Sequence, residues 1–262
     1  MFRIKAKVIY NKRVKQDYFH CILKAPQITR QALPGQFITI KFNDNEHAFL
    51  RRPFSIHKIT GSNLAILYQV IGPATKIFSR IKAGEHLDII GPLGNGFSPV
   101  LRTPYSVLVA GGMGVAPLIF LAEKLVRSQS RKVTKSQALV LVGAKTRNQI
   151  LCEKEFKRLG FDVKIATDDG SRGFKGKVTA LLEDLLRTRY TVHGTIYACG
   201  PRPMLKEISR IALYNNISAQ ISLEEHMACG IGACLGCVVK TKDGFRRVCK
   251  DGPVFEAKEI IW

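Results

Sequence analysis

Four cysteines between Leu223 and Cys249 limit what this chain can fold into more than any other feature. Cys229, Cys234, Cys237 and Cys249 follow the spacing C-x4-C-x2-C-x11-C. Thiolates are soft ligands, and three on a short loop with a fourth returning nearby can close an S4 shell around iron or zinc. Structural zinc sites usually pair two C-x2-C knuckles, whereas this stretch has a single one. A C-x4-C-x2-C run with a distant fourth cysteine is the plant-type [2Fe–2S] spacing. Gly230, Gly232 and Gly236 fall between the ligands, where a chain wrapping a cluster needs positive φ and N–H groups turned toward sulfur. The spacing favours an iron–sulfur cluster over zinc, a disulfide set or buried free thiols. Such a cluster moves one electron at a time and makes no bonds itself, so another part of the chain must exchange electrons with it.

At 262 residues and 46% apolar content, the chain has room for two globular domains plus the cysteine segment as a small appendage. A net charge of +21 raises nucleic acid or an acidic surface as a partner. Residues 1–60 hold twelve Lys/Arg against three Asp/Glu, yet these are dispersed and form no basic run, which favours a solvated surface over a nucleic-acid footprint. Bound anionic cofactors and an acidic protein partner would offset part of the charge. At the start, Phe2, Ile4, Ala6 and Val8 alternate with Arg3, Lys5 and Lys7, a half-buried strand without the apolar core of a signal peptide. The uncharged run Thr103 to Ala122 has membrane-spanning length, but Gly111, Gly112, Gly114 and Pro117 divide it into strand, turn and helix. These features predict a cytoplasmic protein without a membrane segment, where clustered thiols mean metal more often than disulfide.

Residues 1–99 read as short alternating strands punctuated by Pro34-Gly35, Asn43-Asp44, Gly61-Ser62-Asn63, Gly72-Pro73, Gly84 and Gly91-Pro92, which predicts a small antiparallel β-barrel. Within it, Arg51-Arg52-Pro53-Phe54-Ser55-Ile56 places an arginine, an aromatic ring and a hydroxyl along one extended segment. Such a set can pair a phosphate, pack on a ring and bond its edge. Leu67-Tyr68-Gln69 then leads through Gly72-Pro73-Ala74-Thr75 to an amphipathic stretch with Ile77, Phe78 and Ile81, whose first N–H groups would suit a pyrophosphate.

Residues 104–222 alternate buried-looking strands with helical patterns, the signature of a parallel sheet with covering helices. After the first of these strands, Gly111-Gly112-Met113-Gly114-Val115-Ala116-Pro117 is a glycine turn opening a helix, where dinucleotide phosphates can approach the backbone. Cys199-Gly200-Pro201 ends the last strand of that pattern, where ligands bind in open α/β sheets. A buried structural cysteine is the competing reading of Cys199. Lys145 and Arg147, after the second strand, read either as a 2′-phosphate contact or as exposed surface.

In this order the pieces resemble the ferredoxin reductase superfamily. Arg52-Pro53-Phe54-Ser55, Gly91-Pro92-Leu93-Gly94-Asn95-Gly96-Phe97, the glycine turn, Thr167-Asp168-Asp169-Gly170-Ser171, Ala198-Cys199-Gly200-Pro201 and the cysteine set resemble, more narrowly, the electron-transfer subunits of NAD-dependent dihydroorotate dehydrogenase. The resemblance spans essentially the whole chain. It implies an FAD-binding β-barrel over 1–99, an NAD-binding α/β domain over 100–222 and a [2Fe–2S] domain over 223–262. FAD is expected at Arg52, Pro53, Phe54 and Ser55, at Leu67, Tyr68 and Gln69, and at Ala74 and Thr75. NAD is expected at Gly111, Gly112, Gly114, Cys199, Gly200 and Pro201, and the cluster at Cys229, Cys234, Cys237 and Cys249. Ala74 stands where the family commonly has glycine, so its methyl would crowd the diphosphate if φ there were positive.

The resemblance further implies a partner: an FMN-containing catalytic subunit that oxidises dihydroorotate in pyrimidine (UMP) biosynthesis, assembled as two copies of each subunit. This chain shows no base beside a pyrimidine pocket, and His226 reads as structural. Flavin and cluster subunits of ferredoxin–NADP, sulfide or hydrogenase complexes are the nearest alternative, and a zinc-stabilised interaction module a more distant one.

Overall fold

The computed structural model describes residues 1–42, 49–99, 106–128, 138–188 and 194–262. The expected Asn43-Asp44 turn and the first residues of the Thr103 to Ala122 run lie outside these. The described residues group into two compact units. The first comprises Met1–Gly96, Glu225–Val239 and Phe245–Pro253, and the second Phe97–Glu224, Lys240–Gly244 and Val254–Trp262.

The first unit is built on one antiparallel sheet. Its strands are β1 (Phe2–Lys15), β2 (Tyr18–Lys24), β3 (Phe37–Lys41), β4 (Arg52–Ser55), β5 (Lys58–Thr60), β6 (Asn63–Gln69) and β7 (His86–Leu93). They run β4-β3-β7-β1-β2-β6-β5, with β4 and β5 at the two ends, so the expected antiparallel barrel is a half-barrel. The alternation at the start is realised in β1, where Ala6 and Val8 are buried and Arg3, Lys5 and Lys7 exposed. Ile38, Ile40, Ile56, Ile66, Phe78 and Ile89 are fully buried and form its core. A short helix, α1 (Pro26–Thr29), follows β2, and α2 (Pro73–Arg80) follows β6. Buried Phe78 anchors α2, and the Asn11 side-chain amide donates to the Phe78 and Ile81 carbonyls at 2.7 and 2.9 Å, fixing the end of the helix to β1.

The second unit holds the parallel sheet. β8 (Ser106–Gly111), β9 (Ala138–Ala144), β10 (Asp162–Thr167), β11 (Phe174–Lys175), β12 (Thr195–Cys199) and β13 (Ser218–Ser222) alternate with α3 (Val115–Ser128), α4 (Glu153–Arg158), α5 (Val178–Thr188) and α6 (Arg202–Tyr214). The strand order is β11-β10-β9-β8-β12-β13, with one further strand from the C-terminal tail beyond β13. β8 has β9 on one side and β12 on the other, so the winding reverses between β8 and β12. Every residue of β8 is buried, as a strand covered on both faces requires. The cysteine segment adds a hairpin of β14 (Val238–Thr241) and β15 (Gly244–Arg247). Its tail supplies β16 (Val254–Glu256), antiparallel to β13 at the sheet edge.

Candidate redox sites

The cysteine loop is held by its own backbone. Ala233 N donates to Cys229 Sγ at 3.3 Å, Gly236 N to Cys234 Sγ at 3.4 Å, and Cys249 N to Cys237 Sγ at 3.4 Å. Gly230 has φ 70°, a conformation that lets N–H groups converge on one sulfur. Leu235 holds φ 58° between two ligands, which costs a non-glycine residue roughly 1–2 kcal/mol and persists because the surrounding loop dictates it. Val248 N donates to Cys237 O at 2.9 Å as the chain returns, which brings Cys249 back to the loop. Arg247 braces the turn, bonding the Asp251 carboxylate at 2.9 and 3.1 Å and the Gly232 carbonyl at 3.2 Å.

The thiols fall into two pairs. Cys229 and Cys234 interact through their side chains, as do Cys237 and Cys249. Burial opposes ionisation of Cys229, but the Ile231, Cys234 and Ala233 N–H groups and the Cys234 thiol outweigh it and bring the pKa to about 6. Burial, followed by the neighbouring Cys237, pushes Cys249 up to about 12. No three of the four sulfurs lie within 4.8 Å of one another. A single tetrahedral zinc would hold all four about 3.8 Å apart, given a Zn–S bond of about 2.3 Å. Two pairs suit two irons, so the donor set fits a [2Fe–2S] cluster better than one zinc.

In the same unit, Arg52, Pro53, Phe54 and Ser55 form β4, each half-buried at the end of the sheet. Neighbouring arginines have divided roles. Arg51 Nη2 pairs with Asp88 Oδ2 at 2.8 Å and its Nη1 donates to the Asp88 carbonyl at 3.0 Å, which ties it to β7. Arg52 Nη1 donates to the Leu50 carbonyl at 2.8 Å, which orients a guanidinium well suited to a phosphate. Phe54 packs edge-on against Phe78 and Tyr68, with centroids 5.2 and 5.9 Å away.

Leu67 and Tyr68 are buried at 7% and 2% exposure, and the Tyr68 hydroxyl donates to Asn11 Oδ1 at 3.0 Å. From that strand, main chain and the half-buried Gln69 side chain are what remains for a ligand. Ala74 is helical and buried, and it is absent from the positive-φ residues, so its methyl enters the core. The crowding that a positive φ would have caused does not arise. Thr75 Oγ1 accepts from Ile71 N and Gly72 N at 2.9 and 3.1 Å, capping α2 with its own side chain. The Ala74 and Thr75 N–H groups have no partner within the helix at that position, and a methyl added at Gly72 would meet nothing within 4 Å. A first helical turn with spare N–H groups, beside open space at Gly72, suits a diphosphate.

In the second unit, β8 ends in Gly111, Gly112 and Gly114, and β12 ends in Cys199, Gly200 and Pro201, with Cys199 paired to Ala110. The two sets of expected dinucleotide residues therefore meet at the carboxyl ends of adjacent strands, where the winding reverses. Gly114 packs so closely that a methyl there would collide with the Cys199 carbonyl oxygen. Burial pushes the Cys199 thiol up to about 12 despite a hydrogen bond with Ser222, so it stays neutral. Lys145 and Arg147 follow β9, where Lys145 O accepts from Asp169 N at 3.2 Å and Arg147 N donates to Ser171 Oγ at 2.8 Å. This pins the two turns after β9 and β10 together. His226 is exposed.

One contributor to the loop escapes a reading of the sequence. Arg247 and Asp251 show only an i,i+4 charge pair, a common pattern that does not reveal a ligand-loop brace.

Comparison with known proteins follows the same division. Residues 224–261 match the profile of the iron–sulfur cluster binding domain of dihydroorotate dehydrogenase B, and residues 108–210 match an oxidoreductase NAD-binding domain. The electron transfer subunit of dihydroorotate dehydrogenase B (NAD(+)) from Desulforamulus reducens is 39% identical over 98% of this chain and 97% of its own length. The subunit of that name from Caldanaerobacter subterraneus is 40% identical over 100% and 99%. This chain belongs to that family of electron-transfer subunits. Among solved structures, the NADH-dependent reduced ferredoxin–NADP oxidoreductase shares 27% identity at a TM-score of 0.84, covering 98% of this chain and 90% of that one.

The subunit is thus an NAD-dependent oxidoreductase component with a ferredoxin-reductase-like fold, and its cofactors are FAD and a [2Fe–2S] cluster, with NAD as substrate. As an electron-transfer subunit, it works with a catalytic partner subunit. No helix among the described residues is long and apolar enough to cross a membrane.

Proposed function

We propose that this subunit passes electrons from the FMN of its catalytic partner, where dihydroorotate is oxidised, through the cluster and FAD to NAD+. The observation that carries this reading is the shared position of β3. Thr39 of β3 pairs with Pro53 of the flavin strand on one side, and its side chain lies against Gly230 of the cysteine loop. One strand would thereby hold the proposed cluster loop beside the proposed flavin strand. When bound, FAD accepts electrons singly and returns them as a hydride pair.

The residues of this chain bind and orient. Cys229, Cys234, Cys237 and Cys249 are proposed to hold the cluster. Arg52 would pair with an FAD phosphate, Pro53, Phe54 and Ser55 would line the ring, and Leu67, Tyr68 and Gln69 would contribute mainly main chain. Ala74 and Thr75 would offer N–H groups to the diphosphate. Gly111, Gly112, Gly114, Cys199, Gly200 and Pro201 would receive NAD at the strand ends. No residue of the chain is assigned to proton abstraction from dihydroorotate. We further propose functional domains over 1–99, 100–222 and 223–262, assembly as two copies of each subunit, and a cytoplasmic location.

The test is an inventory of activities. The isolated subunit should oxidise NADH with an artificial acceptor and leave dihydroorotate untouched until the partner is added. Dihydroorotate turnover by the homogeneous subunit alone would overturn the reading.

A further inference from the structure

Thr39 is a polar residue in an apolar place. It is 1% exposed, and its Oγ1 is buried without a hydrogen-bond partner. Leaving a buried hydroxyl unpaired forfeits the hydrogen bonds it made to water, and valine has the same shape without that penalty. The hydroxyl therefore points to an acceptor that the polypeptide itself does not supply.

Its surroundings indicate which one. Side chains alternate along β3, so Thr39 faces opposite to Ile38 and Ile40 and on the same side as Phe37. On that side lies the cysteine loop. Gly230, the residue after Cys229, comes so close that a methyl there would sit 2.8 Å from Thr39 Cγ2, with Leu93 next at 4.0 Å. The loop backbone thus packs against the threonine methyl, which shares its carbon with the hydroxyl. The sulfurs of an iron–sulfur cluster accept hydrogen bonds, and such bonds help set its reduction potential.

We propose that the Thr39 hydroxyl donates a hydrogen bond to a sulfur of the [2Fe–2S] cluster and raises its potential. Thr39 is then a positioning and tuning residue, which rests on the assignment of Cys229, Cys234, Cys237 and Cys249 as the cluster ligands. A donor near sulfur stabilises the reduced, more negative cluster. Removing it makes the cluster harder to reduce, which alters the driving force for electrons travelling toward FAD.

The test uses the full-length subunit in complex with its catalytic partner. Wild type, Thr39→Val and Thr39→Ser are compared by iron and sulfide content and by one redox titration that follows cluster and flavin together. Thr39→Val should keep its cluster and show about a tenfold lower reduced-to-oxidised ratio at fixed poise, about 59 mV for a one-electron couple. Thr39→Ser, which retains the hydroxyl, should titrate like wild type. Beyond the exchangeable couplings of the Ala233, Gly236 and Cys249 N–H groups, proton spectroscopy of the reduced cluster should show one more in wild type and Thr39→Ser that Thr39→Val lacks. An unchanged cluster potential in Thr39→Val at full iron content would overturn the proposal, as would an equal shift in both variants or a shift confined to the flavin. Should Thr39→Val fail to load its cluster, Thr39→Ala takes its place in the same titration, and an unchanged cluster potential in Thr39→Ala at full iron content overturns the proposal. Absence of iron from wild type would instead strike the ligand assignment.

Discussion

The cysteine loop and the dinucleotide turn are both glycine-rich ligand sites, yet Gly114 of the turn, unlike Gly230 of the loop, is not needed for its backbone angle. In the loop, Gly230 is needed for its φ of 70°, which turns neighbouring N–H groups inward toward sulfur. In the turn, Gly114 is needed for its missing Cβ, because the Cys199 carbonyl occupies that space. The first requirement, the positive φ, is local and belongs to the loop's own backbone, although Thr39 also leaves no room for a Cβ at Gly230. The second is tertiary and depends on β12 lying beside β8.

The largest effects should come from breaking the local site. Cys229→Ser, Cys234→Ser, Cys237→Ser and Cys249→Ser should each lose the cluster, because oxygen replaces thiolate poorly on iron. Cys21→Ser, Cys152→Ser and Cys199→Ser should retain it. Cys21 is fully buried, so its serine variant should lose about 1–3 kcal/mol of stability while iron and sulfide stay stoichiometric. Full iron content in any of the first four would remove that residue from the ligand set.

Breaking the tertiary site should give a different pattern. Gly114→Ala must move the turn away from Cys199, at a cost of about 1–3 kcal/mol. The displaced turn should raise KM for NADH about tenfold or more while cluster and flavin absorbance remain intact. An unaltered KM would separate Gly114 from the dinucleotide site. Loss of the cluster as well would mean that the two sites are not independent.

This contrast explains what was legible in the sequence. The spacing from Cys229 to Cys249 could be read because ligand loops carry their geometry in their own residues. The alternation of Phe2 to Val8 and the run Ser106 to Gly111 could be read because burial on one face or two leaves a direct periodic trace. The meeting of Gly114 with Cys199 needed the strand order, which a single sequence does not contain. Tyr68 shows the same limit. Its place in the expected flavin set came from resemblance, whereas its hydroxyl is committed to Asn11, a residue far away in sequence. Thr39 was invisible because an unpaired hydroxyl becomes informative only once its neighbours are known.

Arg51 and Arg52 sharpen the comparison within two adjacent positions. Arg51 is committed to Asp88, while Arg52 is the first residue of the proposed flavin strand. Arg52→Ala should weaken FAD binding about tenfold to a hundredfold, the scale of one charge-assisted hydrogen-bond pair, with the fold retained. Arg51→Ala should leave flavin affinity nearly unchanged and lower stability instead. Wild-type flavin occupancy in Arg52→Ala across a dilution series would show that the phosphate contact is made elsewhere.

The smallest expected effect is a pH dependence that reports whether Arg51 belongs to the sheet. Asp88 is subject to burial, which favours its neutral form, but hydrogen bonds from Arg3 and Arg51 outweigh this and hold its pKa below the ordinary 3.8. A carboxylate whose folded pKa is depressed contributes stability above its unfolded pKa and loses it as pH falls through the folded value. The stability difference between wild type and Asp88→Asn, measured by urea unfolding, should therefore be flat from neutral pH down to about 5. It should narrow below 3.8 as Asp88 takes up a proton in the unfolded and then the folded state. Adding Arg51→Ala should flatten most of that acid limb. Arg3, whose side chain is 70% exposed, should leave only a residue that salt removes, since exposed pairs are weak and screened. If Arg51→Ala left the acid limb intact, Arg51 would be free to serve the flavin strand, and the division of labour between the two arginines would fail.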